Sequence, residues 1–174
     1  MTSMWDERYG RAGYAFGKEP NGFLRASAEQ IPMGKVLCLA DGEGRNGVYL
    51  AALGYRVSSV DQSVVGLEKA AKLAGECAVE IETIVADLAD FPLAENSWDG
   101  VVSIFCHLPQ SIRKTLHKKV VKGLKPGGVL VLESYRPDQL QYATGGPPVA
   151  ELMTTAAELA VELEGLQLVH CMEL

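Results

Sequence analysis

The chain has 174 residues, of which 48% are hydrophobic and 22% are charged, and these values are typical of one globular domain with a hydrophobic core. The net charge of -6 and the isoelectric point near 5.1 argue against binding to nucleic acid or to an anionic membrane, because phosphate contacts need clustered Lys and Arg. The one basic cluster, residues 113–119, is expected to be the solvated face of a helix.

The cysteines and the N-terminus indicate the compartment. Cys38, Cys77, Cys106 and Cys171 are far apart and form no Cys-x-x-Cys motif, so the sequence suggests neither a zinc site nor a disulfide framework. The N-terminus has no apolar signal core, and no apolar run approaches the ~20 residues of a membrane span. These features predict a cytoplasmic protein that binds no metal and no membrane.

The N-terminal segment, residues 1–31, is expected to precede the sheet as a helical lead-in. Ser3 and Asp6 could form a capping box for a short opening helix, and Asn21 could cap a second helix. Between the two helices, residues 9–17 are rich in glycine and aromatic side chains and are predicted to form a loop.

From residue 35 onward, short β-branched runs alternate with helical segments, and this alternation predicts a parallel sheet with helices on both faces. Ser63 is expected to cap the helix after the second strand. The strand order should be 3-2-1-4-5, with a sixth strand beyond. The predicted strands are 35–40, 56–60, 80–86, 100–105, 129–134 and 166–172, and the predicted helices are 45–53, 63–75, 109–124 and 149–163.

The turn after the first predicted strand is glycine-rich and leads into a helix. Gly42 and Gly44 would let the backbone come within contact distance of a ligand, and the N–H groups at the start of the helix would be free to bind it. Asp61 follows the next strand, where a carboxylate can bind a ribose. This layout predicts a pocket for an adenosine cofactor. The spacing Gly42-x-Gly44-x-x-Gly47 also fits NAD, so the turn alone leaves the cofactor open.

Five further motifs occur in order along the chain. They are Val36-Leu-Cys-Leu-Ala-Asp-Gly-Glu-Gly44, Val60-Asp61, Ala86-Asp-Leu88, Phe91-Pro-Leu93 with Ser97-Trp-Asp-Gly-Val-Val-Ser103, and Gly123-Leu-Lys-Pro-Gly-Gly128. Together they resemble the Rossmann-like S-adenosylmethionine-dependent methyltransferases, over nearly everything from Trp5 to the end. The last motif discriminates most, because an NAD-dependent dehydrogenase has no particular need for Leu-Lys-Pro-Gly-Gly at this place.

The start of the chain resembles a smaller group within this class. Trp5-Asp-Glu-Arg-Tyr9 and Tyr14-Ala-Phe-Gly-Lys-Glu-Pro20 are similar to small bacterial methyltransferases related to tellurite-resistance and thiopurine-type enzymes. This resemblance implies a small-molecule acceptor and an N-terminal segment that folds over the cofactor as a lid.

The resemblance also implies roles for individual residues. Gly42 and Gly44 would approach the methionine portion of the cofactor, and Asp61 would accept both ribose hydroxyls. Asp87 would bind the adenine amino group, while Leu88 would offer its backbone N–H to the ring. The expected cofactor-binding residues are Ala40, Asp41, Gly42, Gly44, Asn46, Asp61, Gln62, Asp87, Leu88 and Phe105.

Methyl transfer from a sulfonium is an in-line displacement, so the enzyme mainly positions donor and acceptor, and a dedicated acid or base can be unnecessary. His107 could act as a general base on an acceptor hydroxyl or thiol, or could be a hydrogen-bond partner at a helix start. Tyr14 and Phe16 could close over the adenosine or the acceptor, or could pin a surface loop to the core. Tyr135 could line the acceptor pocket, and Cys106 is expected to be a packing residue.

The chain departs from the family pattern in two respects. Cys38 stands where an acidic residue usually helps to hold the cofactor's ammonium, and Ala40 stands where the first glycine is usual. Asp41 or Glu43 could compensate. The seventh strand, which the family places antiparallel between strands 5 and 6, is missing. Either the chain is truncated, which we favour, or another copy completes the sheet edge.

The sequence therefore predicts a single methyltransferase domain, residues 1–174, that binds S-adenosylmethionine and methylates a small molecule. It is expected to be a monomer or a weak homodimer. Two alternatives remain open at this point, which are an S-adenosylmethionine-binding protein without turnover and an NAD-dependent oxidoreductase.

Overall fold

The computed structural model describes residues 4–174, so the predicted capping residue Ser3 lies outside the described residues. The strands are β1 (Lys35–Leu39), β2 (Arg56–Asp61), β3 (Glu82–Val85), β4 (Trp98–Ile104) and β5 (Leu124–Glu133). The helices are α1 (Met4–Tyr9), α2 (Gly22–Ser27), α3 (Arg45–Ala52), α4 (Val64–Glu76), α5 (Gln110–Gly123), α6 (Gln139–Tyr142) and α7 (Ala156–Glu162), with 3-10 turns at Ala28–Gln30 and Ala150–Leu152.

The five strands form one parallel sheet in the order β3-β2-β1-β4-β5, which confirms the predicted α/β fold class and strand order. Successive side chains of the central strand β1 point to opposite faces of the sheet. Val36 and Cys38 pack with Leu50 of α3 on one face, and Leu37 packs with Leu116 of α5 on the other. Both faces are therefore covered by helices. Within residues 4–174, no helix is long and apolar enough to cross a membrane.

Two of the predicted helix starts are confirmed by their caps. The Asn21 side chain accepts a hydrogen bond from Leu24 N (2.9 Å), so α2 begins at the next residue. The Ser63 hydroxyl accepts one from Gly66 N (3.0 Å) at the start of α4. Both side chains satisfy N–H groups that have no partner within the first helical turn.

The predicted sixth strand, residues 166–172, is wrong. The tail after α7 makes no backbone ladder with β5 in the part of the chain that the structure describes. Glu173 instead accepts a hydrogen bond from Ala156 N (3.0 Å) and lies 3.4 Å from Arg136. The alternating apolar side chains that suggested a strand are exposed, with Leu168 at 72% and Val169 at 80%. Their pattern is that of a strand, but no neighbouring strand pairs with it.

The single helix predicted for residues 149–163 is also wrong, since it is interrupted before α7. Met153 O accepts a hydrogen bond from Arg113 Nη1 (2.8 Å), and Thr155 then starts α7 by accepting one from Glu158 N (3.2 Å). Glu158 Oε2 in turn accepts a hydrogen bond from Thr155 N (2.9 Å), which completes a capping box. The Thr155 cap and the bond from Arg113 to the Met153 carbonyl therefore determine where α7 begins.

The strand predicted from residue 129 begins earlier, at Leu124. Trp98 of β4 pairs with Leu124 and Gly100 pairs with Val129, so the intervening residues of β5 form a bulge. Gly127 adopts a positive φ of 80° within this bulge. The Leu-Lys-Pro-Gly-Gly motif is thus an irregular start of β5.

The expectation that residues 113–119 form a solvated face is wrong for Arg113 and His117, which are each 5% exposed. Arg113 binds Glu162 of α7 with Nη2 (2.8 Å) and Nε (3.0 Å), and His117 Nδ1 lies 2.7 Å from the same carboxylate. Burial raises the pKa of Glu162, but the hydrogen bonds and charge of Arg113 lower it more, so the pKa lies below its usual value. This buried cluster attaches α7 to α5.

Candidate cofactor and acceptor site

The carboxyl ends of the parallel strands meet at one edge of the sheet, where ligands bind in open α/β folds. Backbone bonds tie the turns together there, since Asp41 N donates to Val60 O (3.2 Å) and Ala86 N donates to Asp61 O (3.0 Å). Phe105 follows β4, which pairs with β1. The structure therefore brings the predicted cofactor-binding residues, which follow β1, β2, β3 and β4, to the same edge.

The carboxylate of Asp61 is fixed by the backbone on both sides. Oδ2 accepts a hydrogen bond from Gly42 N (2.9 Å), and Oδ1 accepts one from Ser63 N (2.8 Å). Burial raises the pKa of Asp61, and these two N–H groups oppose the shift. Each carboxylate oxygen can accept more than one hydrogen bond, so both can still receive a ribose hydroxyl.

The three glycines of the turn serve different contacts. Gly42 and Gly44 have positive φ values of 55° and 82°, which favour glycine. A β-carbon on Gly44 would lie 2.5 Å from that of Ala70 in α4, and one on Gly47 would lie 2.5 Å from the Ser59 hydroxyl. Close packing within the fold therefore explains why glycine stands at positions 44 and 47. The backbone N–H of Gly42 binds Asp61.

Asp41, one of the two residues expected to compensate for Cys38, holds the turn from the inside. Its Oδ2 accepts a hydrogen bond from the Ser59 hydroxyl (2.6 Å), and its Oδ1 accepts one from Gly47 N (3.3 Å). Burial raises the pKa of Asp41 to about 7. The carboxyl group thus connects the turn to β2 and to the start of α3.

Glu43, the second such residue, binds the N-terminal loop at residues 10–17, which we call the strap. Its Oε2 accepts a hydrogen bond from Ala15 N (2.6 Å), and its Oε1 accepts one from Lys69 Nζ (2.9 Å). Lys69 also donates to Gly13 O (2.7 Å). Asp41 and Glu43 are both engaged within the fold, so a cofactor ammonium would have to compete with these bonds.

Tyr14, a candidate catalytic residue, lies in the strap against α4. Its hydroxyl donates to Lys69 O (3.3 Å), and its ring lies 4.9 Å from Lys18 Nζ. The ring also packs against a small core cluster that includes Val48 and Leu73. This placement agrees with the second role considered for Tyr14, which is to pin a surface loop to the core.

An aromatic cluster follows β4 and β5. The Phe105 and Tyr135 rings stack with centroids 4.8 Å apart, and His107 stacks on Tyr135 at 5.6 Å. Among the described residues, His107 Nδ1 is buried without a hydrogen-bond partner. Burial lowers the pKa of His107, and a hydrogen bond to the Leu152 backbone partly opposes the shift. His107 is therefore neutral near pH 7 and keeps one unpaired ring nitrogen.

Cys106 lies beside this cluster and is a packing residue. Burial and the charge of Asp61 raise the pKa of its thiol to about 12, so the thiolate needed for a nucleophile is not formed near pH 7.

The remaining predicted residues differ in exposure. Leu88 is buried in the core, whereas Asp87 and Gln62 are exposed. Asp87 Oδ1 accepts a hydrogen bond from the N–H two residues onward (2.9 Å). Asn46 Oδ1 accepts one from Asn21 N (2.9 Å), which connects α3 to the start of α2.

Two contributors at this edge were missed from the sequence. Lys69 joins the strap to Glu43, and Tyr9 is 5% exposed beside Gly42. The spacing of Trp5 and Tyr9, four residues apart on one helix face, indicates only that the two rings stack on each other.

The fold is that of the Rossmann-like methyltransferase class. Residues 36–128, more than half of the chain, match the model of a family described as a methyltransferase domain. The chain belongs to this family. No match was found among curated protein sequences.

Solved structures of methyltransferases are similar to this chain. The glycopeptide N-methyltransferase MtfA, complexed with S-adenosylmethionine, is 25% identical with a TM-score of 0.55, over 67% of this chain and 50% of that one. TehB from Haemophilus influenzae is 24% identical (TM-score 0.67, 82% and 49%). A TehB-like methyltransferase from Corynebacterium glutamicum is 22% identical (TM-score 0.64, 86% and 74%). The last two support the fold alone. This chain spans about half to three quarters of the length of these proteins.

Proposed function

We propose that this chain transfers the methyl group of S-adenosylmethionine to a small-molecule acceptor. The observation that carries the proposal is the Asp61 carboxylate, held 2.9 Å from Gly42 N and 2.8 Å from Ser63 N at the edge where the strands end. A fixed carboxylate beside a glycine-rich turn is suited to the two hydroxyls of a ribose.

The other residues at this edge fit the same cofactor. The exposed carboxylate of Asp87 suits the adenine amino group, and the buried Leu88 beside it suits the apolar face of the ring. Ala40 and Phe105 leave their strands with positive φ values of 50° and 53°. The backbone thus turns sharply on both sides of the place proposed for the methionine portion. When bound, S-adenosylmethionine supplies a methyl group on a positively charged sulfur.

We assign His107 as the base that takes the acceptor's proton. Nδ1 has no hydrogen-bond partner among the described residues, and the neutral ring can accept a proton there. Phe105 and Tyr135 stack around it and would exclude water from the acceptor. The proton would then pass from His107 to solvent after the methyl group has moved.

The location and assembly state belong to the same proposal. The four free thiols and the net charge of -6 support a cytoplasmic enzyme that acts on small molecules rather than on nucleic acid. Among the described strands, β5 pairs only with β4. Its other edge could pair weakly with a second copy of the chain, which supports a monomer or a weak homodimer. We regard residues 1–31 as the lid of a single domain.

Calorimetric titration tests the cofactor site. The chain should bind S-adenosylmethionine and S-adenosylhomocysteine, and it should not bind NAD. Asp61→Asn, which keeps the size of the side chain, should weaken the binding of S-adenosylhomocysteine at least about tenfold, because one ribose hydroxyl loses a charged acceptor. The matched control Glu82→Gln changes a carboxylate that binds only Ser58. Unchanged affinity in Asp61→Asn would remove this residue from the ribose role.

A screen with labelled methyl groups tests turnover, over thiols, phenols, carboxylates and oxyanions. His107→Gln should lower the rate about a hundredfold and leave the affinity for S-adenosylhomocysteine unchanged, since general base catalysis contributes roughly this factor. Cofactor binding without transfer to any acceptor class would favour the alternative of a binding protein without turnover.

A further inference from the structure

Tyr9 lies directly on the glycine-rich turn, although it belongs to the N-terminal helix α1. A β-carbon on Gly42 would lie 2.5 Å from the Tyr9 hydroxyl oxygen, and one on Gly66 would lie 2.8 Å from the Tyr9 ring. Both positions are glycine, so the side chain of Tyr9 fits between the turn and α4. Its hydroxyl therefore reaches the place where Gly42 N binds Asp61.

The hydroxyl of Tyr9 has no hydrogen-bond partner among the described residues. The residue is 5% exposed, and no hydrogen bond joins its hydroxyl to another described group. Tyr14 and Tyr55 differ, because Tyr14 donates to Lys69 O (3.3 Å) and Tyr55 donates to Ala28 O (2.9 Å). A hydroxyl on a largely buried residue is stabilised when a ligand or water supplies its missing partner.

The surroundings of this hydroxyl make it a donor. Burial raises the pKa of Tyr9, and the nearby carboxylates of Asp61 and Glu43 raise it further. The O–H hydrogen is thus retained near pH 7. Asp61 can only accept hydrogen bonds when it is ionised, whereas Tyr9 can donate one.

The position of Tyr9 is fixed from outside the turn. Its ring stacks on Trp5 at 5.4 Å, and the guanidinium of Arg8 lies 5.6 Å from the Trp5 ring. Asp6 accepts a hydrogen bond from the Ser63 hydroxyl (2.5 Å). These contacts attach α1 to the start of α4, so the hydroxyl of Tyr9 is held in one place beside Asp61.

We propose that Tyr9 donates a hydrogen bond to a ribose hydroxyl oxygen of the bound cofactor, while Asp61 accepts from the ribose hydroxyls. This inference rests on the proposed function. A ribose hydroxyl both donates and accepts, so a carboxylate acceptor and a phenol donor on neighbouring segments satisfy it from two sides. Tyr9 is then a positioning residue for the cofactor, and α1 is part of the binding site.

Calorimetric titration of the whole chain with S-adenosylhomocysteine tests this contact. Tyr9→Phe keeps the ring and removes only the hydroxyl, and it should weaken binding about tenfold. Tyr14→Phe is the matched control, because it removes a hydroxyl from the same N-terminal segment, and its affinity should stay within about twofold. Thermal unfolding by circular dichroism should show that both variants are folded.

A cofactor analogue identifies the atom that Tyr9 binds. With the 2′,3′-dideoxy form of S-adenosylhomocysteine, Tyr9→Phe and the unchanged chain should bind equally, since the ribose hydroxyls are gone. Equal or tighter binding of S-adenosylhomocysteine by Tyr9→Phe would overturn the inference, and so would a loss that persists with the analogue. If the unchanged chain fails to bind S-adenosylhomocysteine, the proposed function fails instead.

Discussion

The turn after β1 follows the central strand of the sheet, the segment after β5 follows an edge strand, and different interactions hold them. In residues 41–47, the carboxylates of Asp41 and Glu43 each accept two hydrogen bonds from neighbouring segments. Residues 134–174 are largely exposed, and the charges of Glu162 and its partners attach them to α5. The turn after β1 is therefore held by several local bonds, whereas the attachment of the segment after β5 to α5 depends largely on one cluster of distant residues.

The largest expected loss of stability comes from a substitution that breaks the cluster of Arg113, His117 and Glu162. Glu162→Gln should lower the free energy of unfolding by roughly 3 kcal/mol, because the buried Arg113 would keep only the more distant charge of Glu158 (3.7 Å). Urea denaturation measures the change. The control Glu95→Gln removes an exposed pair with Lys122 on the same helix and should have no detectable effect. If both variants unfold alike, the cluster does not hold the segment after β5.

A pair of glycine substitutions compares the crowding at the two regions. Gly44 and Gly127 have nearly equal φ values of 82° and 80°, but a β-carbon meets Ala70 only at Gly44. Gly44→Ala should cost roughly 2 to 3 kcal/mol of unfolding free energy, and Gly127→Ala about 1 kcal/mol. Thermal denaturation of both variants checks this difference. Equal costs would mean that the turn after β1 is no more tightly packed than the bulge of β5.

The pH dependence of stability tests the buried carboxyl group of Asp41, which binds Ser59 and Gly47. The pKa of Asp41 is about 7 in the fold and 3.8 in the reference state, so between about pH 4 and 7 the folded chain holds a proton that the unfolded chain has lost. This group's stabilising contribution is complete below about pH 4 and is lost as the pH rises to about 7. Asp41→Asn should remove this contribution.

Denaturation of both chains at several pH values measures the effect. The stability of Asp41→Asn relative to the unchanged chain should rise by roughly 4 kcal/mol between pH 4 and 8, since the pKa is raised by about 3 units and each unit corresponds to about 1.4 kcal/mol. A difference that is constant over this range would show that Asp41 titrates normally.

The smallest expected effect concerns the start of α7. Thr155→Ala removes the hydroxyl that accepts from Glu158 N, and it should lower the free energy of unfolding by about 1 kcal/mol. Thr155→Ser keeps the hydroxyl and serves as the control. Equilibrium denaturation compares the two, and equal stabilities would mean that the Arg113 bond to Met153, not the cap, determines where α7 begins.

The features that the sequence predicts well depend on neighbouring residues. The Asn21 and Ser63 caps act on N–H groups three residues away, and the strands around β1 are continuous apolar runs. The position of Asp61 follows from the parallel topology. The partners of Asp41 and Glu43 were harder to predict, because a residue at a turn can direct its carboxylate toward the core or toward solvent. One sequence does not show which direction it takes.

The failures concern interactions between distant residues. Arg113 reads as part of a solvated basic face because its partner Glu162 is 49 residues further along the chain. The tail at residues 166–172 alternates like a strand, but alternation does not indicate whether a neighbouring strand is within reach. Tyr9 was missed as a site residue because its contacts with Gly42 and Gly66 depend on how α1 packs on α4.

The left-handed backbone at Ala40, with φ of 50°, has a consequence for how the sequence can change over evolution. An L-residue in this conformation costs about 1 to 2 kcal/mol relative to glycine. Glycine in turn gives the unfolded chain more conformations, which offsets about 0.4 to 1 kcal/mol of that cost. The net penalty of alanine is therefore small, so a lineage can exchange glycine for alanine here with little loss of stability.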